Sequence, residues 1–168
     1  MAPRRLDGGP GPPARRWCPK KGDAPARRRA REALGRSRGG LSTKLHAACD
    51  ALGNPVRLRL TPGQAGDAPE AEWLVHRLRP TYVVADRAYD SGTFRAWVHV
   101  SGAEAVIPPT ANRSRRPAYD REVYAERNRV ERFIGRLKLN RRVATRYEKT
   151  ARNYLSFVLW ASTLVLLR

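Results

Sequence analysis

The chain has 168 residues, 41% of them hydrophobic, which allows one domain with a real core and does not promise two. Its 34 Lys and Arg against 15 Asp and Glu give a formal charge of +19, unevenly spread: residues 1–40 carry 12 basic and 3 acidic side chains, residues 127–152 carry 10 and 2, and residues 41–126 carry 11 and 10. Two basic segments around a nearly neutral centre favour nucleic acid as partner over an evenly solvated surface, because each neutralised phosphate releases counterions.

The opening stretch, MAPRRLDGGPGPPARRW, has no apolar core region and does not read as a signal peptide. Residues 1–34 are rich in Gly, Pro, Ala and Arg, with no apolar period of strand or helix, and are expected to be a disordered or poorly packed basic arm. The domain is expected to run from 35 to 168. STKLHAACD and PVRLRLTPG are strand-like runs joined by ALGN, which predicts an antiparallel hairpin turning at Asp50 to Asn54. DAPEAEWLVHRL predicts a helix with Asp67 as N-cap and Ala71, Leu74, Val75 and Leu78 on one face.

TYVVAD reads as a buried strand with Asp86 at its carboxyl end. SGTFRAWVHV is expected to be a helix, EAVIPP a strand stopped by prolines, Arg121 to Leu139 a long basic helix, and the stretch from Asn153 onward an apolar one. Tyr154 to Leu167 is apolar over 14 residues. That is short of the roughly 20 needed to span a membrane, so it reads as a core helix. The order predicts an α/β domain, a mixed sheet flanked by helices with the hairpin at one edge. Ligands of such sheets gather at strand carboxyl ends, where Asp86 stands.

On the basic helix, at about 100° per residue, Tyr124, Arg127, Glu131 and Lys138 share an arc of about 60°. Val123, Val130, Phe133, Ile134 and Leu137 form the apolar stripe beside it, which puts the polar set at the rim of the core. Glu131 could simply pair with neighbouring arginines on a solvated face, and Asp86 could cap the turn after its strand. Asp90 reads as such a cap rather than a ligand. Two acids on separate elements in a basic chain could instead hold Mg²⁺ ions for phosphoryl transfer, with Arg and Lys holding the phosphate.

The stretch YAERNRVERFIGRLK fits a Y-x2-R-x3-E-x6-K signature and resembles the third acidic region of DDE transposases of bacterial insertion sequences. GRSRGGLSTKLHAACDALGNPVRLRLTPGQAGD, VVADRAYDS, AVIPPTANR and ATRYEKTARNYLSFVLWASTLVLLR are similar to the insertion-sequence-5 group of that family, so the resemblance covers about Lys20 to Arg168. It implies an RNase H-like fold with Asp86 and Glu131 as the second and third catalytic, metal-binding acids. It also implies that Tyr124, Arg127 and Lys138 hold DNA phosphates. The implied chemistry is Mg²⁺-dependent cleavage at element ends, then attack of the freed 3′ hydroxyl on target DNA. The implied partners are double-stranded DNA and, in the cytoplasm at the nucleoid, a homo-oligomer or a full-length transposase.

The family's first acid, on the first strand of the sheet, has no clear counterpart. Asp7 lies among glycines and prolines that cannot continue a central strand, Asp23 lies in the arm, and Asp50 falls at a turn. Residues 1 to about 19 are expected to be an out-of-frame reading of the segment that should hold that strand, with the end-binding domain absent as well. The expectation is a truncated or frameshifted transposase with impaired activity. The alternative is a non-catalytic basic DNA-binding protein that interferes with a full-length copy. An RNA-binding accessory protein is disfavoured, because the aromatics follow core spacing rather than an exposed strand pattern.

Cys18 and Cys49 lack the spacing of a zinc site or a disulfide framework, and His46, His76 and His99 read as structural or surface residues. Arg146 and Tyr147 could track a DNA backbone or stand at a solvated helix start.

Overall fold

The computed structural model describes residues 25–37, 40–114 and 116–167. The expected hairpin is formed by β2 (Gly40–Cys49) and β3 (Pro55–Pro62), with Lys44 opposite Thr61 and His46 opposite Arg59. Its turn closes around Asp50, whose carboxylate accepts from the backbone N–H groups of Leu52 and Asn54, both at 2.9 Å. Gly53 takes φ 89°, a left-handed conformation that glycine adopts without strain. Strand alternation sorts the hairpin's faces. Leu45, Ala47, Leu58 and Leu60 pack toward the C-terminal helices. Lys44, Arg57 and Arg59 turn to the opposite face, where they meet Asp67, Trp73 and Glu70. A short strand that the sequence did not announce, β1 (Gly35–Ser37), pairs with the start of β2.

Helix α2 (Ala68–Val75) begins after Asp67 as expected, but the Asp67 carboxylate does not cap it. It accepts instead from Lys44 Nζ at 2.9 Å, a charged partner that outcompetes the local amides. The helix stops at Val75, and Arg77 and Arg79 adopt φ 64° and 47°, so Leu78 leaves the buried face on which the sequence placed it.

Strand β4 (Tyr82–Val84) runs parallel to β5 (Glu104–Val106), and α3 (Gly92–Val100) makes the crossover. Ser91 caps α3 by accepting from the Phe94 N–H at 3.1 Å. At the other end the Ala103 N–H reaches the Val98 carbonyl and the Gly102 N–H the His99 carbonyl, a closed helix terminus that launches β5. Val83, Phe94, Val98 and Ile107, with Ala71 of α2, form the first core.

The expected long basic helix is divided into α4 (Arg121–Ala125) and α5 (Asn128–Lys138). Between them the amides of Glu126, Arg127, Arg129 and Val130 bond three residues back rather than four, which tightens the chain at the joint. Then come a single turn, α6 (Arg141–Ala144), and the apolar helix α7 (Ala151–Leu166). Phe133 and Leu137 of α5, Val143, and Tyr154, Val158 and Ala161 of α7 make the second core against β2 and β3. Among the described residues no helix is long and apolar enough to cross a membrane.

Two expectations need correction. The single mixed sheet is, among the described residues, two sheets: antiparallel β1-β2-β3 and parallel β4-β5. They are separated by a cleft of about 570 Å³ lined by Leu45 and Ala47 on one side and Tyr82 and Val84 on the other. Of the arm expected over residues 1–34, residues 1–24 lie outside the described residues, and Pro25–Arg31 form α1 rather than a poorly packed stretch. Behind α1, Glu32 accepts from the Ala151 N–H at 2.7 Å, and buried Ala33 accepts from Thr43 Oγ1 at 2.6 Å. These bonds tie residues 32 and 33 to α7 and β2.

Candidate active site

Asp86 stands just beyond β4, where the chain enters a 3-10 turn at Arg87–Tyr89. Its Oδ1 accepts from the Ala88 N–H at 3.0 Å, so the turn-capping reading is correct as far as it goes. Its Oδ2 lies 3.8 Å from Arg127 Nη1, and Arg127 Nη2 lies 2.8 Å from Glu131 Oε1. One guanidinium therefore joins the acid at the strand end to the acid on α5. Their side chains are 48% and 55% exposed, so both acids open to solvent.

Tyr124 supports this arginine from across the joint. Its ring lies 5.5 Å from the guanidinium carbon and is itself met edge-on by Tyr119 at 5.4 Å. The tightened joint thus keeps Tyr124 and Arg127 together although the helix is not continuous. Lys138, at the end of α5, lines the same cleft as Asp86, Arg127 and Glu131. Seven residues of helix put it about 10 Å along the axis from Glu131. Of the five residues that sequence singled out, four form one contact chain and Lys138 stands further along its wall.

Mg²⁺ binds hard oxygen donors and keeps an octahedral shell. Two carboxylates are the right donor type, but among the described residues no third His, Cys, Asp or Glu joins them. Arg127 also holds the space between them. In this arrangement the residues do not make up a metal site. Asp7 and Asp23 lie outside the described residues, and Asp50 is committed to its hairpin turn.

Behind the site are two polar clusters that no motif announced. The Asp90 side chain is fully buried and accepts from Arg95 Nε, Arg113 Nη1 and the Thr110 N–H, each at 2.7 Å. It clamps α3 and the loop after β5 rather than capping a helix. Burial alone would raise its pKa, but the bonds from Arg95 and Thr110 and the charges of Arg95 and Arg113 bring it down to about 2.

His46, also buried, lies between Thr61 Oγ1 at 2.8 Å and Tyr89 Oη at 3.1 Å. Burial pushes the His46 pKa down and the Tyr89 pKa up. The parity of β2, which puts His46 on the face of Lys44, was the available signal. Arg146 is not free to track DNA: it donates to Thr43 Oγ1 at 2.6 Å and to the Glu148 carbonyl at 3.0 Å, and covers the Tyr154 ring.

The family profile described as "Transposase DDE domain" matches residues 16–166. A Brucella ovis protein, provisionally named as the transposase for insertion sequence element IS6501, is 41% identical over 130 residues, covering 76% of this chain and 100% of that relative. No solved structure matches the chain. The match over residues 16–166 and the 41% identity to that relative assign the chain to the DDE transposases of insertion sequences.

Proposed function

We propose that this chain serves DNA transposition as an RNase H-like catalytic portion that binds duplex DNA and contributes Asp86 and Glu131 to a Mg²⁺ site that the described residues do not complete. The observation that supports this is the Asp86–Arg127–Glu131 chain at the mouth of the cleft. Arg127, steadied by Tyr124, and Lys138 supply the cations for a DNA phosphate. The described residues gather two carboxylates, which supports the reading that cleavage and strand transfer by this chain are impaired.

The test is a nicking assay on duplexes carrying the element's ends, with the purified chain and Mg²⁺. The expected result is salt-sensitive binding without nicking above background. Nicking that disappears in Asp86→Ala and Glu131→Gln would show a complete site and overturn the reading. A second reading, a non-catalytic DNA-binding protein that interferes with a full-length transposase or joins its oligomer, is favoured by the exposed basic end of α5. There Arg136 and Lys138 have no ion pair among the described residues. On that reading the chain lowers transposition by a full-length copy and does so equally well as Asp86→Ala.

A further inference from the structure

We propose that His46 is a positioning residue for Asp86: through the Tyr89 hydroxyl it braces the Arg87–Tyr89 turn, and with it the carboxylate that the turn presents to the cleft. The inference rests on the reading of Asp86 as a site acid, but its test follows where Asp86 is held and not whether DNA is cut.

The turn is too short to hold itself. Over three residues it closes on Asp86 twice, with the Ala88 N–H on the carboxylate and the Tyr89 N–H on the carbonyl, both at 3.0 Å. A single 3-10 turn fixes several dihedrals for few bonds of poor geometry, so it takes its place from what its side chains touch. Arg87 and Ala88 are exposed, whereas Tyr89 turns inward and lays its ring against the first core. Arg127 approaches Asp86 at 3.8 Å, too far to fix it by a hydrogen bond. The Asp90 clamp anchors the chain just after the turn; Tyr89 anchors the turn from within.

Apolar packing is non-directional and fixes no single atom of the tyrosine ring. The hydroxyl does: Tyr89 Oη lies 3.1 Å from His46 Nδ1 on β2. The other imidazole nitrogen, Nε2, lies 2.8 Å from Thr61 Oγ1 on β3, so the ring is held at both ends. Both partners are hydroxyls, which donate or accept, and either neutral tautomer is satisfied. Asp67 Oδ1 stands 4.0 Å from Nδ1, beyond hydrogen-bond reach, and takes its bond from Lys44 instead. His46 and Thr61 are 3% and 5% exposed, so the series Thr61–His46–Tyr89 runs out of water from the hairpin to the turn that bears the acid. Burying a polar ring costs free energy that an apolar residue would avoid. What the imidazole adds is a directional bond from one sheet to the segment that follows the other.

The test is NMR on the full chain, reading amide exchange at Ala88 and Tyr89 and the Asp86 side-chain carboxyl carbon signal. Tyr89→Phe keeps the packed ring and removes the bond. It should speed exchange at those two amides about tenfold and move the Asp86 signal, while the Val158 amide in the second core stays as it was. Two replacements of His46 then separate its nitrogens. Asparagine places an amide where Nδ1 stands and glutamine places one where Nε2 stands. His46→Asn should therefore keep the wild-type rates and Asp86 signal, and His46→Gln should behave like Tyr89→Phe. A ring that merely fills the core predicts no such order. The proposal is overturned by unchanged rates in Tyr89→Phe, by His46→Asn and His46→Gln acting alike, or by a speed-up at Val158 equal to that at Ala88. Failure of the site reading looks different. If the variants follow this order, but a duplex carrying the element's ends with Mg²⁺ moves neither the Asp86 nor the Glu131 signal, the brace stands and the site reading falls.

Discussion

The Asp90 carboxylate sits between two guanidiniums and a backbone amide, four residues after Asp86, and holds the loop after β5 against the start of α3. Its pKa of about 2 lies below the unfolded value of about 3.9, so its contribution to stability is complete above pH ~4 and is lost as pH falls toward 2. That contribution is about 2 kcal/mol. Asp90→Asn leaves Arg95 and Arg113 without their anion, and should cost about 3 kcal/mol in urea unfolding at pH 7. It should also flatten the acid limb of the stability curve between pH ~4 and 2. Wild-type and variant curves that run parallel in acid would show that Asp90 is not the titrating clamp. The placement of Asp86 at a strand end and of Arg127 and Glu131 on one side of a helix was legible in the sequence, because a strand terminus and helical spacing fix it. Asp90's role was not, because its partners Arg113 and Thr110 lie 23 and 20 residues away and only the crossover brings them back.

Arg146 fastens three elements, reaching Thr43 on β2 and the Ala33 carbonyl behind α1 while covering Tyr154 of α7. Arg146→Ala should therefore destabilise the chain by about 2 kcal/mol, since it strips a half-buried set of charge-assisted bonds. Arg146→Lys should recover little, because one ammonium cannot reproduce a planar fork of donors. Neither change should alter DNA affinity in the folded protein; a large loss of affinity at unchanged melting temperature would restore the DNA-tracking role. Elements with strong periodicity or clear turn chemistry, such as the β2-β3 hairpin and α3 with its Ser91 cap, were readable in advance. The short ones were not. β1 and α6 hold three and four residues, too few to show a period, and α1 is an Arg-rich turn anchored through its C-terminal neighbours Glu32 and Ala33. The joint between α4 and α5 leaves no mark in the sequence, because Glu126 and Arg127 keep near-helical dihedrals and only the bonding pattern changes.

Charge and sheet organisation meet across the whole molecule. The neutral half, residues 41–126, builds the hairpin and the parallel pair, and the basic stretch from 127 to 152 runs over them through α5 and α6. Arg136, Lys138 and Arg141 are exposed there, at the end of α5 where the helix dipole is negative and tolerates cations. Binding to duplex DNA should then be dominated by counterion release. Affinity should drop by about a thousandfold between ~50 and ~200 mM salt if about six phosphates are neutralised. Changing Arg136, Lys138 and Arg141 to Gln one at a time should each lower the salt slope by about 1, with the same effect on unrelated sequences. Asp86→Asn with Glu131→Gln should move affinity the other way, because two anions leave the mouth of the cleft while Arg127 stays to meet a phosphate. The two arms separate a face that holds DNA from a site that acts on it. Were the paired acid substitutions to weaken binding, Arg127 would need those carboxylates to hold it in place, and the acids would be positioning residues for the arginine rather than prospective metal ligands.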